Sequence, residues 1–121
     1  MVRVLIADDH LLFAEALEAI LSIDGRIAVV GRAADGEDAV RLARELRPDV
    51  VLMDLSMPRG DGFEATRRIR EAHAGTRVLV LTGSATAEDA ARALDAGADG
   101  CLTKDQIADD LVHAILAAAE A

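Results

Sequence analysis

Five polar residues of this sequence have the types needed for divalent-cation and phosphate chemistry. Each stands at the end of a short apolar segment, and the five are Asp8, Asp9, Asp54, Thr82 and Lys104. If those segments are parallel strands, their carboxyl ends meet at one edge of a sheet, where ligands bind in open α/β folds. Carboxylates held that close cannot all remain ionised without compensation, and a divalent cation is the simplest compensation. The pattern therefore predicts a metal site at this edge.

The donor types indicate which cation and which chemistry to expect. Carboxylate oxygens with no histidine or thiolate at matching positions favour Mg²⁺ or Mn²⁺ over Zn²⁺. Mg²⁺ commonly shares its coordination with waters and a phosphate oxygen, so the site is predicted to handle phosphate. Asp54 is then the predicted nucleophile that forms an acyl phosphate, while Lys104 and the Thr82 hydroxyl neutralise phosphoryl charge.

Taken singly, each of these residues has a simpler structural explanation. An aspartate or threonine after a strand is commonly a turn residue or helix cap, and a lysine is commonly a solvated charge. Asp8 and Asp9 could both cap the following helix, although one cap needs only one carboxylate. His10 is interpreted as a loop or first-turn residue, and Phe13 as core packing. The combination of these types at several strand ends favours a functional site.

The segments that position these residues alternate between short apolar runs and longer amphipathic stretches. Such alternation predicts strand–helix units and a parallel sheet covered on both faces. The predicted strands are Val2–Ala7, Ile27–Val30, Val50–Met53, Val78–Leu81 and Cys101–Thr103. We therefore predict a doubly wound α/β fold, a (βα)₅ flavodoxin-like three-layer sandwich with strand order 2-1-3-4-5. In that order the first and third strands are neighbours, which gathers the three carboxylates into one pocket.

The spacing of apolar residues predicts the buried face of each helix, and capping residues, glycine and proline predict where helices begin and end. The first helix is predicted to bury one face that consists of Leu12, Ala16, Leu17, Ile20 and Leu21. The fourth helix has a weaker apolar face, which consists of Ala90, Ala91 and Leu94. Asp35 opens the second helix, Pro48 follows that helix, and Asp61 is the predicted N-cap of the third.

Composition limits the classes of function. The chain has 121 residues, 52% of them hydrophobic and 2% aromatic, which predicts one domain with an aliphatic core. A net charge of −9 opposes direct binding to nucleic acids or anionic membranes. The single cysteine, Cys101, excludes an intramolecular disulfide and suits a reducing compartment. No apolar run is long enough to span a membrane and no signal-peptide pattern precedes Val2, so a cytoplasmic protein is expected.

Several motifs, in their order and spacing, resemble those of the two-component response regulator receiver domain, in its NarL/FixJ (LuxR-type) branch. The motifs are Val4–His10, Arg47–Pro58, Asp61-Gly62, Leu81-Thr82, and Ala96–Gly100 with Lys104. Together they extend over essentially the whole chain. The resemblance implies a phosphorylation-dependent switch that catalyses only its own phosphoryl transfer and dephosphorylation and is not otherwise an enzyme.

The resemblance also implies residue roles. The implied Mg²⁺ site consists of Asp8, Asp9, Asp54 and the backbone carbonyl of Ser56. Asp54 would be the phosphoacceptor, and Asp8 would act mainly through bound water and Lys104. Lys104 would pair with phosphoryl oxygens, and Thr82 would hydrogen-bond one of them on activation. The implied phosphoryl donor is a sensor histidine kinase, and activation would expose a homodimer surface on the first and fifth helices or on the fourth and fifth.

The sequence departs from the family at one position of the switch. The family usually places tyrosine or phenylalanine three residues before the lysine, where this chain has Cys101. We therefore predict that phosphorylation chemistry is retained without the aromatic half of the switch. The branch usually joins its receiver to a helix-turn-helix DNA-binding domain, so residues 1–121 are predicted to be a single receiver domain without that effector domain.

Three other functions fit parts of the pattern. A Mg²⁺-dependent phosphatase or phosphotransferase of the haloacid-dehalogenase type would carry its nucleophile after the first strand, with a second aspartate two residues on. Asp8 and Asp9 are instead adjacent. A flavodoxin-like redox carrier would need Trp or Tyr beside its flavin, and the chain has neither. A degenerate receiver that only binds partners would lack the acidic or lysine positions, all of which are present.

Overall fold

Five strands and five helices alternate along the chain. The computed structural model describes residues 1–57, 62–83 and 86–120. The strands are β1 (Val2–Ala7), β2 (Ile27–Ala33), β3 (Val50–Asp54), β4 (Arg77–Thr82) and β5 (Gly100–Thr103). The helices are α1 (Leu11–Ser22), α2 (Gly36–Leu46), α3 (Gly62–Ala72), α4 (Ala87–Asp95) and α5 (Ile107–Glu120), and a 3-10 turn over Lys104–Gln106 precedes α5.

The strands form one parallel sheet in the order β2-β1-β3-β4-β5, which confirms the predicted fold and strand order. Side chains alternate between the two faces of each central strand. In β1, Val4 and Ile6 belong to a core cluster with α1 and α5, whereas Leu5 and Ala7 belong to a second cluster with α2, α3 and α4. The molecule is therefore a three-layer sandwich with two aliphatic cores.

The ends of α2 follow the signals in the sequence. Asp35 is the N-cap, and its side chain accepts a hydrogen bond of 2.8 Å from the backbone N–H of Asp38. The helix ends at Leu46, and Arg47 adopts a left-handed conformation with φ of 49° before Pro48. Both boundary predictions for this helix are confirmed, while the N-cap predicted at Asp61 lies outside the described residues.

The buried faces predicted for α1 and α4 are partly wrong. In α1 the buried residues are Ala14, Leu17 and Leu21, whereas Leu12 is 81% exposed. This helix carries apolar residues around most of its circumference, so spacing alone could not select the inward stripe. In α4 the small residue Ala93 is buried, and Leu94 lies on the exposed side.

Strand β2 extends three residues beyond its predicted end. Gly31 and Arg32 interrupt the apolar run, yet both belong to the strand and pair with β1. A Cβ atom at Gly31 would lie 2.8 Å from Leu46 Cδ1, so a larger residue here would displace the side chain of Leu46. No helix among the described residues has the length and apolar character needed to cross a membrane.

Candidate functional site

The register of the sheet brings the predicted site residues to one edge. Ala7 at the end of β1 pairs with Met53 of β3, so the next residues along the two strands, Asp8 and Asp54, emerge side by side. On the other side of β3, Asp54 pairs with Leu81. Thr82 and Thr103 then pair at the ends of β4 and β5, immediately before Lys104.

Asp8, Asp9 and His10 form a tight turn between β1 and α1. The backbone N–H of His10 donates a hydrogen bond of 2.8 Å to Asp8 Oδ1. His10 is the N-cap residue of α1, and its side chain makes no capping hydrogen bond. Neither Asp8 nor Asp9 is therefore the N-cap of α1, and the simpler explanation of this acidic pair as helix caps is wrong. The interpretation of His10 as a loop or first-turn residue is confirmed, because His10 directly precedes α1.

Asp54 is fully buried, and its two carboxylate oxygens have different surroundings. Oδ1 accepts hydrogen bonds from the Ser56 backbone N–H at 3.1 Å and the Ser56 hydroxyl at 2.9 Å. Lys104 Nζ lies 3.6 Å from the same oxygen. In the part of the chain that the structure describes, Asp54 Oδ2 and Asp8 Oδ2 are buried without a hydrogen-bond partner.

The electrostatics of Asp8 show that Lys104 does not offset the negative charge of the site. Burial raises the pKa of the Asp8 carboxyl, and the neighbouring Asp54 carboxylate raises this pKa further. The hydrogen bond from the His10 backbone N–H and the charge of Lys104 act in the opposite direction without cancelling the rise. Since a cation would stabilise both carboxylates in their ionised form, the pair is suited to a metal ion.

The donor set fits a divalent cation. Ligand atoms of Asp8, Asp9, His10 and Asp54 all lie within 4.8 Å of one another. Two of these carboxylates carry the unpartnered oxygens, and carboxylate oxygens are the ligands that Mg²⁺ prefers. The expectation that no histidine stands at a matching position is wrong, because His10 Nδ1 lies 3.5 Å from both Asp8 Oδ1 and Asp9 Oδ1.

Phe13 has a second contact beyond the core packing predicted for it. The half-buried ring packs against the core beneath α1, and Lys104 Nζ lies 4.4 Å from its centroid. A cation over an aromatic face at this distance is a cation–π interaction. Phe13 and Asp54 together hold the Lys104 ammonium over the site. The contact between Phe13 and Lys104 could not be predicted from the sequence, because the two residues are far apart in the chain.

Ser56 and Gly62 shape the backbone around Asp54. The resemblance implies a role for the Ser56 carbonyl, whereas the contacts that the structure shows are the two hydrogen bonds that Ser56 donates to Asp54. A Cβ atom at Gly62 would lie 2.9 Å from the Asp54 carbonyl oxygen and 3.2 Å from Leu55 Cα. The first turn of α3 can approach the end of β3 this closely because residue 62 is glycine.

Cys101 lies in β5, paired with Val80, and is half-buried against the core cluster of α2, α3 and α4. Burial raises the pKa of its thiol, and the charge of Asp89 adds to the rise. The side chain is therefore a neutral thiol that packs against this cluster.

Comparison with known proteins identifies this arrangement. Residues 4–116 match the family described as Response regulator receiver domain. The chain is similar to the uncharacterized transcriptional regulatory protein YxjL of Bacillus subtilis, with 40% identity over 98% of this chain and 54% of that protein. It is also similar to the nitrate/nitrite response regulator protein NarL of Escherichia coli, with 39% identity over 96% of this chain and 54% of that protein.

A solved structure agrees with these relatives. The two-component response regulator of the LuxR family from Aurantimonas has a TM-score of 0.94 and 38% identity, over 99% of this chain and 86% of that one. The chain belongs to the response regulator receiver domain family, in the branch of the NarL and LuxR-type regulators. It spans about half the length of the curated relatives named above. Family membership thus favours the receiver prediction over the phosphatase and flavodoxin-like alternatives.

Proposed function

We propose that Asp54 accepts a phosphoryl group from the phosphohistidine of a sensor histidine kinase, and that the acyl phosphate operates the switch of a two-component system. The observation that carries the proposal is the buried Asp54 carboxylate with Lys104 Nζ 3.6 Å away and Asp8 beside it. A buried carboxylate at the carboxyl edge of a parallel sheet is positioned to act as a nucleophile.

The transfer balances without a further reactant. An oxygen of the Asp54 carboxylate forms a bond to phosphorus while the phosphorus–nitrogen bond of the phosphohistidine breaks. The electron pair of that bond stays on the imidazole nitrogen, which takes a proton. The phosphoryl group develops negative charge on its oxygens during transfer, and the Lys104 ammonium is positioned to stabilise that charge.

Mg²⁺ would be held by Asp8, Asp9, Asp54 and the backbone carbonyl of Ser56, with Mn²⁺ as an alternative cation. When bound, the cation neutralises phosphoryl and carboxylate charge. The two buried oxygens of Asp8 and Asp54 support this assignment, because they have no hydrogen-bond partner among the described residues. Asp8 acts mainly through water bound to the cation.

Thr82 and Lys104 would carry the response away from Asp54. Thr82 is buried at the end of β4 and directly follows Leu81, the residue that pairs with Asp54. Lys104 begins the turn between β5 and α5. A phosphoryl group that hydrogen-bonds the Thr82 hydroxyl and pairs with Lys104 would therefore pull on the ends of two neighbouring strands.

In the cell we expect a cytoplasmic regulator of transcription. The similar protein YxjL is named a transcriptional regulatory protein, and the chain spans 54% of its length, which leaves room for a DNA-binding helix-turn-helix domain in the full regulator. The receiver itself would not bind DNA, since its net charge is −9. Leu12 of α1 is exposed by 81% and Leu94 of α4 by 60%, so both candidate homodimer surfaces, α1 with α5 and α4 with α5, present an exposed apolar residue.

Intact-mass spectrometry tests the phosphorylation chemistry. The chain is incubated with acetyl phosphate or phosphoramidate, with and without Mg²⁺, and Asp54→Ala serves as the matched control. We expect a single phosphoryl increment that requires Mg²⁺, is removed by hydroxylamine and is absent from the control. Absence of the increment in folded, Mg²⁺-binding protein would refute the proposal and favour a receiver that only binds partners.

A second comparison separates the switch from the phosphatase alternative. Turnover of a small phosphate ester that is lost in Asp8→Asn but retained in Asp54→Asn would indicate a nucleophile after β1. We expect no such turnover, because Asp54 is the carboxylate in contact with Lys104 and Asp8 Oδ1 is already held by the His10 backbone.

A further inference from the structure

His10 places an imidazole nitrogen within the carboxylate cluster. Its Nδ1 atom lies 3.5 Å from Asp8 Oδ1 and 3.5 Å from Asp9 Oδ1. Ligands bound to one ion at about 2.1 Å lie about 3 Å apart when adjacent and about 4.2 Å apart when opposite. The ligand atoms here all lie within 4.8 Å of one another, so small side-chain rotations would close them around one cation.

A second observation points to a bound cation at the same place. Asp8 Oδ2 and Asp54 Oδ2 are buried and have no hydrogen-bond partner in the described part of the chain. Buried carboxylate oxygens without partners are costly unless a cation or donor compensates them. The cluster therefore contains buried carboxylate oxygens that a bound cation would compensate.

The His10 ring lies against two carboxylates of the cluster and does not cap the helix that follows. The His10 side chain is 64% exposed and makes no capping hydrogen bond to α1. The segment between β1 and α1 is stabilised by the His10 backbone, whose N–H donates a hydrogen bond to Asp8 Oδ1. Loss of the ring would therefore leave the turn between β1 and α1 with its backbone hydrogen bond intact.

We propose that His10 Nδ1 is a ligand that makes this site bind a borderline first-row transition ion, represented by Zn²⁺, more tightly than Mg²⁺. The inference rests on the proposed function, because it adds a ligand to the same cluster. Carboxylate and water suit Mg²⁺, whereas imidazole suits Zn²⁺ and its neighbours. His10 thus contributes to Zn²⁺ affinity and not to Mg²⁺ affinity. Since Asp54 belongs to the cluster, Zn²⁺ competes with Mg²⁺ for the phosphoacceptor carboxylate.

Calorimetric titration of the 121-residue chain with Zn²⁺ alone and with Mg²⁺ alone tests the ligand assignment. His10→Ala removes the ring and keeps the backbone N–H that Asp8 accepts. His113→Ala is the matched control, because His113 is exposed on α5. We expect His10→Ala to weaken Zn²⁺ binding by about tenfold or more and to change Mg²⁺ binding by less than about twofold. The control should change neither.

Nuclear magnetic resonance of the wild-type chain gives a readout that does not depend on a variant. The chain has three histidines, so the ring nitrogens of ¹⁵N-histidine-labelled protein can be assigned individually. Zn²⁺ should shift the Nδ1 resonance of His10 and leave His73 and His113 in place. Equal Zn²⁺ affinity of wild type and His10→Ala, or a Zn²⁺-induced shift confined to His73 or His113, would overturn the inference.

Phosphorylation measured in parallel distinguishes this inference from the proposed function. Mg²⁺-dependent labelling of Asp54 that persists while Zn²⁺ leaves His10 unaffected overturns only the role of His10. Absence of labelling in wild type overturns the proposed function, and the Zn²⁺ titration then still decides whether His10 is a ligand.

Discussion

The two sides of Asp54 differ in how firmly the fold holds them. On one side, β1 and β3 are buried, and their register alone places Asp8 beside Asp54. On the other side, β5 is an edge strand of four residues, all half-buried, and it pairs only with β4. The carboxylates are thus positioned by buried strands, whereas the strand that leads to Lys104 and α5 is a short, half-buried edge strand, which is the kind of element that opens locally at lower cost.

This difference separates the residues that carry out phosphoryl transfer from the residues that transmit the conformational response to it. Asp8 and Asp54 are held by burial, and their Oδ1 atoms accept hydrogen bonds from the backbone N–H groups of His10 at 2.8 Å and of Ser56 at 3.1 Å. Lys104 joins the two sides, because it contacts Asp54 and Phe13 and also begins the turn after β5. Changes near β1 and β3 should affect phosphoryl transfer or stability, and changes in β5 should affect only the conformational response to phosphorylation.

The largest expected effect on the response comes from Lys104→Ala. Asp54 should still be labelled from acetyl phosphate with Mg²⁺, because the carboxylate and cation ligands remain. The link between the phosphoryl group and β5 is lost, so hydrogen exchange in residues 100–106 should no longer change on labelling. Mass spectrometry measures both quantities on the same sample. A variant that is labelled and changes its exchange like wild type would refute the role of Lys104.

Gly62→Ala tests whether α3 must approach the end of β3 closely. The added Cβ would lie 2.9 Å from the Asp54 carbonyl oxygen, so backbone must shift. We expect the free energy of unfolding to fall by about 1–3 kcal/mol, measured by urea denaturation, and labelling to slow. The matched control is Gly75→Ala, where a Cβ meets nothing within 4 Å. Equal stability of the two variants would contradict the proposed contact.

Asp8→Asn tests whether the negative charge of Asp8 beside Asp54 destabilises the folded protein when no metal is bound. The pKa of Asp8 is raised in the folded state above its ordinary value of 3.8, chiefly by burial. The folded state therefore binds this proton more tightly than the unfolded state, and its stabilisation is present at low pH and lost as pH rises through the folded pKa. Asparagine removes the charge and can donate to Asp54, so stability at pH 7 should rise by on the order of 1 kcal/mol.

Urea denaturation across pH 3 to 7 in the presence of a chelator measures this effect. The wild-type stability should decline relative to Asp8→Asn over the upper part of that range. Addition of Mg²⁺ should reverse the order, because the wild type gains a bound cation and the variant loses a ligand. If the difference in the free energy of unfolding between the two proteins does not vary with pH, the charge of Asp8 does not destabilise the folded state.

The fold and the acidic site could be predicted from local sequence patterns. The features that could not be predicted have physical causes. Apolar runs and their polar ends predicted all five strands and the meeting of Asp8 with Asp54, because parallel register is set by burial. The inward face of α1 could not be predicted, since both stripes of that helix are apolar. The contacts of His10 and Phe13 depend on side-chain directions that sequence spacing does not contain.

The smallest expected effect on phosphorylation comes from Cys101→Phe, which restores an aromatic ring to β5. Cys101 is a half-buried neutral thiol with no charge to offer the phosphoryl group, so labelling should change by less than about twofold. The exchange response of residues 100–106 should instead grow, because a ring on the movable strand gains or loses burial as the strand shifts. Cys101→Ser, which is neutral and of similar size, should match wild type in both measurements. A change in labelling larger than about tenfold in Cys101→Phe would show that β5 takes part in the transfer itself, and the separation between the two sides of Asp54 would fail.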